Sequence, residues 1–184
     1  MEAFEQFVAL ALETEGLVVS SALKFRVPKQ TTSGLQTHGY EVDLVGARVD
    51  KLVLASVKSF FGSVGVKADH VSGLGANEAH NRNYKLLNDV VLRDAIITQA
   101  AERFGYALDQ VELRLYAGKF GSGDNETRTR TWCGSQFVGG GPIKVFGAVE
   151  VVEVVRELAR PNQYRDSAVL ATIKVLDAAG ALTK

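Results

Sequence analysis

Two apolar runs separated by a short polar break constrain this 184-residue chain more than any other feature. Tyr40 to Val49 and Leu52 to Phe61 are each long enough for a strand, and Arg48, Asp50 and Lys51 mark a tight polar turn. The pattern predicts an antiparallel hairpin. Glu41 and Asp43 are two residues apart, which puts both on one face of a regular strand, and Ser56 and Lys58 repeat that spacing on the partner. An acid on one strand and a lysine on its neighbour can meet across the pair. Taken alone, Asp43 and Lys58 would read as a surface ion pair worth under ~1 kcal/mol. Carboxylates converging beside a lysine also suit a divalent metal, because Mg²⁺ takes oxygen ligands and keeps several waters. The lysine can then orient or deprotonate an attacking water, or stabilise charge building on a phosphate.

The surroundings of the hairpin predict a mixed fold. Residues 2–15 carry Phe4, Phe7, Val8 and Leu12 at helical spacing, with Glu5 in the first turn and Gly16 as a stop. From Leu17 the pattern is extended, Leu23, Phe25 and Val27 alternating with Lys24 and Arg26, and Pro28 is expected to end the strand. Residues 29–39 read as a polar loop, long enough to move or to bind something. A glycine-dotted stretch then leads to one long helix from about Asn83 to Phe104, and Val111, Leu113 and Leu115 alternate as a further strand. Residues 118–135 are a polar excursion, 143–147 a short strand, and 148–159 and 165–179 two closing helices. The order α-β-β-β-α-β, followed by a strand and two helices, predicts an α/β (α+β) fold with a mixed sheet. Residues 1–147 form the core in this reading, and 148–184 are helices packed on the same domain.

Three segments together resemble the PD-(D/E)xK, or restriction-endonuclease-like, nuclease superfamily, most closely its archaeal Holliday-junction-resolvase-like branch. Glu5-Gln6-Phe7-Val8, with Leu12 and Gly16-Leu17-Val18-Val19, is similar to the family's opening helix and first strand. Glu41-Val42-Asp43-Leu44-Val45 is similar to the strand bearing its metal-binding aspartate. Leu52 to Ser59 is similar to the apolar strand that ends in acid-x-lysine. The resemblance covers residues 2–118. It implies a metal-dependent nuclease, a hydrolase that cleaves DNA phosphodiesters with Mg²⁺ or Mn²⁺. Asp43 would be the central ligand, Lys58 the catalytic lysine, the Val57 carbonyl a backbone ligand and Glu5 the helix acid reaching metal-bound water. By the same analogy a homodimer is an option.

The departure from the family is Ser56, where an acid or Gln is expected. A neutral hydroxyl removes one full charge from a metal shell. Glu41 is the nearest acid to stand in; without it the scaffold would bind without cutting, as a DNA-binding or protein-interaction module.

Charge bears on the partner. The chain has 21 basic and 21 acidic side chains, a formal balance of zero, which counts against indiscriminate coating of DNA. The balance hides a contrast: residues 22–58 carry six bases and three acids, while the opening helix has four glutamates and no base. Lys24, Arg26 and Lys29 form one basic group. Lys119 lies in the 118–135 segment, where Arg128, Arg130 and Trp132 alternate with threonines. If extended, that stretch aligns two guanidinium groups and an indole for phosphates and a base, or forms an edge strand kept soluble by arginine.

Other motifs are weaker. The single Cys133 excludes an intramolecular disulfide framework. No apolar run approaches the ~18 residues of a membrane span, and the acidic N-terminus is unlike a signal peptide, so a cytoplasmic protein is expected. His38, lying just before Glu41, is placed to face a substrate. His38, His70 and His80 show no i, i+4 pair, so histidine ligation of a metal is not expected. Gly118 to Gly123 lacks the Gly-Lys-Ser/Thr ending of a phosphate cradle.

Overall fold

A computed structural model of the protein describes residues 2–31, 34–160 and 167–182, with the side chains of 28–31 and 35 outside the description. Its centre is β3 (Lys51–Lys58), in which every residue from Leu52 to Val57 is buried. A strand buried on both faces needs neighbours on both edges and helices above and below, which explains its unbroken apolar run. Those neighbours are β2 (Gly34–Arg48), antiparallel, and β4 (Val111–Ala117), parallel. With β1 (Val18–Thr31) outside β2 and β7 (Lys144–Gly147) outside β4, they form a five-stranded mixed sheet in the order β1-β2-β3-β4-β7. A separate two-stranded ribbon pairs β5 (Phe137–Val138) with β6 (Gly141–Pro142).

Helices cover both faces. One carries α1 (Ala3–Thr14), α7 (Ala148–Ala159) and α8 (Ala168–Ala178), whose Phe4, Val8, Leu12, Val155 and Leu170 meet Leu44, Val53, Ala55 and Val57. The other face packs Val45, Leu52, Leu54, Leu113 and Leu115 against Leu86, Leu87, Ile96 and Ala100. These come from α4 (Lys85–Asn88) and α5 (Val90–Phe104). The short helices α2 (Ala68–Val71) and α3 (Glu78–Asn81) and the longer α6 (Asn125–Ser135) complete the set. The protein is therefore α+β, and among the described residues no helix is long and apolar enough to cross a membrane.

The hairpin read from sequence is present, with Arg48 opposite Lys51 at its last pair. Three other expectations are corrected. Residues 29–39 do not form a loop across their length: β1 runs to Thr31, β2 resumes at Gly34, and Pro28 sits in the ladder opposite Thr37. β1 is an edge strand, where a proline is tolerated because no ladder need continue through its missing N–H. The long helix is broken. The Asp89 side chain accepts the Leu92 N–H at 3.1 Å and starts α5 afresh, and Gly105 ends it in the left-handed region at φ 76°. The polar excursion that would align Arg128, Arg130 and Trp132 on one face if extended is helical over Asn125–Ser135, as α6.

A change of face inside the β1–β2 pair shapes the region that matters most. Val19 faces the α1 layer, whereas Leu23, Phe25 and Val27 face the α5 layer. All four are odd-numbered, so strict alternation would have kept them together. The switch falls at Ala22, whose φ is 54°, and opposite it on β2 at Asp43, between Val42 on the α5 side and Leu44 on the α1 side. Cross-strand partners run through Ser21 with Leu44 and Leu23 with Val42. The outer arm of this hairpin turns over α5, where Gln99 Nε2 donates to the Arg26 carbonyl at 2.5 Å and Arg103 Nη1 to that of Lys24 at 3.3 Å.

Candidate functional site at the carboxyl end of β3

The β2–β3 ladder stops at Leu44 and Ala55. Beyond it the Asp43 carboxylate replaces the lost backbone partner. Its Oδ2 accepts the Val57 N–H at 2.6 Å, the Lys58 ammonium at 3.3 Å and the Ser56 hydroxyl at 3.4 Å. Alternation with Leu52 and Leu54 directs Ser56 and Lys58 to the α5 face. Ser56 is buried at 4% exposure, and the Lys58 and Asp43 side chains are 17% and 25% exposed. The sheet thus brings Asp43, Ser56, Val57 and Lys58 together in the way the two motifs anticipate. Tyr40 is close by: burial pushes its phenol up to about 12, and the charges of Asp43 and Asp89 act in the same direction.

The other acids proposed for the site are placed elsewhere. Glu41 does not share the face of Asp43, because the strand switches face between them; it is exposed and pairs with Lys24 at 3.8 Å. Glu5 lies on α1, which packs on the opposite face of the sheet, and its Oε2 accepts the Glu2 N–H at 2.9 Å. The α1 N-terminus does reach the end of β3, where the Ser59 hydroxyl donates to Glu2 at 2.9 Å and Phe4 meets Phe61 edge to face.

These positions bear on Mg²⁺ or Mn²⁺. Such ions need several oxygen ligands, most of them anionic or carbonyl. Here one oxygen of Asp43 already accepts three donors, and a hydroxyl occupies the second acid's position. Among the described residues no group of three or more His, Cys, Asp or Glu is arranged to hold a metal ion. The described residues do not fit such an ion.

The basic side chains are largely engaged within the chain. Lys24 and Arg26 are exposed on the outer arm, Lys24 beside Glu41, while the Lys29 side chain lies outside the described residues. Lys119 donates to the Ser63 carbonyl at 2.9 Å. Helix α6 sends Arg128 and Arg130 to different partners: Arg128 to Asp69, and Arg130 to Glu126 at 2.8 Å, Glu150 at 2.7 Å and the Val145 carbonyl at 2.7 Å. Trp132 accompanies Arg128, not Arg130, along a shallow groove beside Leu74. His38 is exposed on β2 opposite Val27.

A partly buried polar assembly, centred on Arg114, lies on the other face and was not anticipated. Arg114, 2% exposed on β4, binds Glu15 through Nη1 at 2.6 Å and Glu112 through Nη2 at 2.7 Å. Lys51 joins Glu15 at 3.1 Å, and Lys144 joins Glu112 at 3.0 Å. Burial by itself would raise the Glu15 carboxyl, but the Arg114 and Lys51 hydrogen bonds and charges outweigh it and bring it down to about 2. Arg48 Nη1 also caps the end of α1 through the Glu15 carbonyl at 2.7 Å. At the C-terminal end of α1, Glu15 is thus surrounded by the Arg114 and Lys51 cations and by the Arg48 cap on its carbonyl. The charged alternation in Val111–Leu115 signalled a polar stripe on β4, but nothing local to it names a partner 99 residues away.

No family model matches the chain, and no curated protein matches it. Among solved structures, the chain is similar to the crystal structure of a protein of unknown function, AF1548, at 19% identity and a TM-score of 0.40, over 96% of this chain and 77% of that one.

Proposed function

We propose that the protein is a restriction-endonuclease-like module that binds DNA without metal-dependent cleavage. The observation that carries this reading is the state of Asp43: its carboxylate is taken up by Val57, Lys58 and Ser56, with serine where a second acid would be needed. In this reading Asp43 and Lys58 hold the ends of β2 and β3 in register, and Lys24 and Arg26 on the outer arm supply phosphate contacts. Each such contact releases condensed counterions, so affinity falls steeply with salt.

Mobility-shift titration of linear and branched duplexes at two salt concentrations tests it. Binding that weakens with salt, and weakens further in Lys24→Glu/Arg26→Glu, is expected. No binding at low salt would reject the DNA partner and leave a protein-interaction module.

A metal-dependent nuclease is the competing proposal, supported by the Asp43–Lys58 pair itself. Mn²⁺-dependent cleavage by the wild-type chain, lost in Asp43→Ala and in Lys58→Ala, would select it.

A further inference from the structure

His70 and His80 are ten residues apart in sequence, a spacing with no meaning on one helix, yet the turn between α2 and α3 brings their rings together at a tilt. Their ring centroids lie 4.9 Å apart with an interplanar angle of 59°. Both border a single pocket of about 210 Å³, with Phe60, Ser63, Asn83 and Tyr84. Neither imidazole hydrogen-bonds to another described residue, so the ring nitrogens are left for solvent or a ligand. Only glycine fits beside the His70 ring at position 75, where a Cβ would lie 2.4 Å from the ring Cδ2 and 3.2 Å from its Nε2. Asn81 holds that turn closed, donating to the Gly75 carbonyl at 2.7 Å and to that of Gly73 at 3.2 Å.

We propose that His70 and His80 form a two-imidazole site for a borderline divalent cation of the Zn²⁺ type, open to the pocket they share. The spacing supports it: two imidazoles on one tetrahedral ion, with Zn–N near 2.0–2.1 Å, bring their ring centroids to about 5 Å. Imidazole nitrogen also selects Zn²⁺, Ni²⁺ or Cu²⁺ over Mg²⁺, which prefers oxygen. A ligating imidazole must be neutral, and Lys67 and Asp69 are charged groups of opposite sign that act on His70. Other nearby charges are already paired, Asp69 with Arg128 and Glu78 with Arg82. No third His, Cys, Asp or Glu completes the set among the described residues, so water or a ligand in the pocket fills the remaining positions.

The site is separate from Asp43 and Lys58, so it stands or falls independently of the DNA reading. Untagged full-length protein is titrated with Zn²⁺ by calorimetry at neutral pH, and imidazole resonances are followed by NMR. One Zn²⁺ per chain is expected, with shifts in two of the three histidines. Exposed His80→Gln should fold normally and lose at least tenfold in affinity. The His70→Gln/His80→Gln double variant should lose the site, while His38→Gln and Asp43→Ala keep it. A folded wild-type chain that binds no Zn²⁺, or Zn²⁺ affinity unchanged in His80→Gln, overturns the proposal.

Discussion

The Asp43 carboxylate accepts the backbone N–H of Val57 at 2.6 Å, at the point where β2 has left β3 and no backbone carbonyl of β2 continues the ladder. A side chain here does the work of a strand. The same oxygen neutralises Lys58, whose ammonium is mostly buried. Asp43→Ala should therefore cost about 2–3 kcal/mol, the penalty for stranding a buried donor and a charge. Asp43→Asn, which keeps an acceptor but not the charge, should cost roughly half of that. Urea unfolding of the two variants measures both, and equal losses would show that the charge is irrelevant.

Arg114 and Glu15 fasten the end of α1 to β4 across the opposite face. Arg114 is buried but Glu15 is about one-third exposed, and Glu112 remains to hold Arg114, so Glu15→Gln should cost about 2 kcal/mol, less than the ~3–5 kcal/mol of a fully buried pair. The pair also fixes an acid dependence. The hydrogen bonds and charges of Arg114 and Lys51 hold the Glu15 carboxyl down at about 2 in the folded chain, below the ordinary glutamate value of about 4.5. Its stabilisation is whole above about 4.5 and is lost as pH falls from there toward 2. Thermal melts between pH 6 and pH 3 should drop less steeply for Glu15→Gln than for the wild type.

Ala22 holds a φ of 54°, a conformation that a non-glycine residue adopts at a cost of about 1–2 kcal/mol. Ala22→Gly should leave stability within about 0.5 kcal/mol of the wild type, relief of strain offsetting added freedom in the unfolded chain. Ala22→Val should be destabilised by at least about 1 kcal/mol, because a β-branched residue resists this region more strongly. The comparison of the two by chemical denaturation reads the strain directly.

The hairpin at Val49–Asp50, the apolar β3 and the closing helices were legible because each declares itself within a few residues: an unbroken buried run, a polar turn, a helical period. So was the meeting of Asp43, Ser56 and Lys58, since two strands joined by a tight turn can pair in few ways. What escaped depends on distant parts of the chain. Glu41 shares a period-two pattern with Asp43, and only the turn in backbone at Ala22, set by the wrapping of the outer arm over α5, separates them. Arg128, Arg130 and Trp132 alternate with threonines, as in a strand. Their helix is held by contacts with Asp69, Glu150 and the Val145 carbonyl that no local window contains. His70 and His80 likewise meet through a turn pinned by Asn81, not through a spacing.

We propose that Ser56 silences a site whose Asp43 and Lys58 are already in position. The most direct test is Mn²⁺-dependent cleavage of supercoiled and branched DNA by wild-type protein, Ser56→Glu and Ser56→Glu/Asp43→Ala, each confirmed as folded. No metal-dependent cleavage by the wild type is expected, with cleavage by Ser56→Glu and its loss again in the double variant. Cleavage by the wild-type chain that disappears in Asp43→Ala would contradict it.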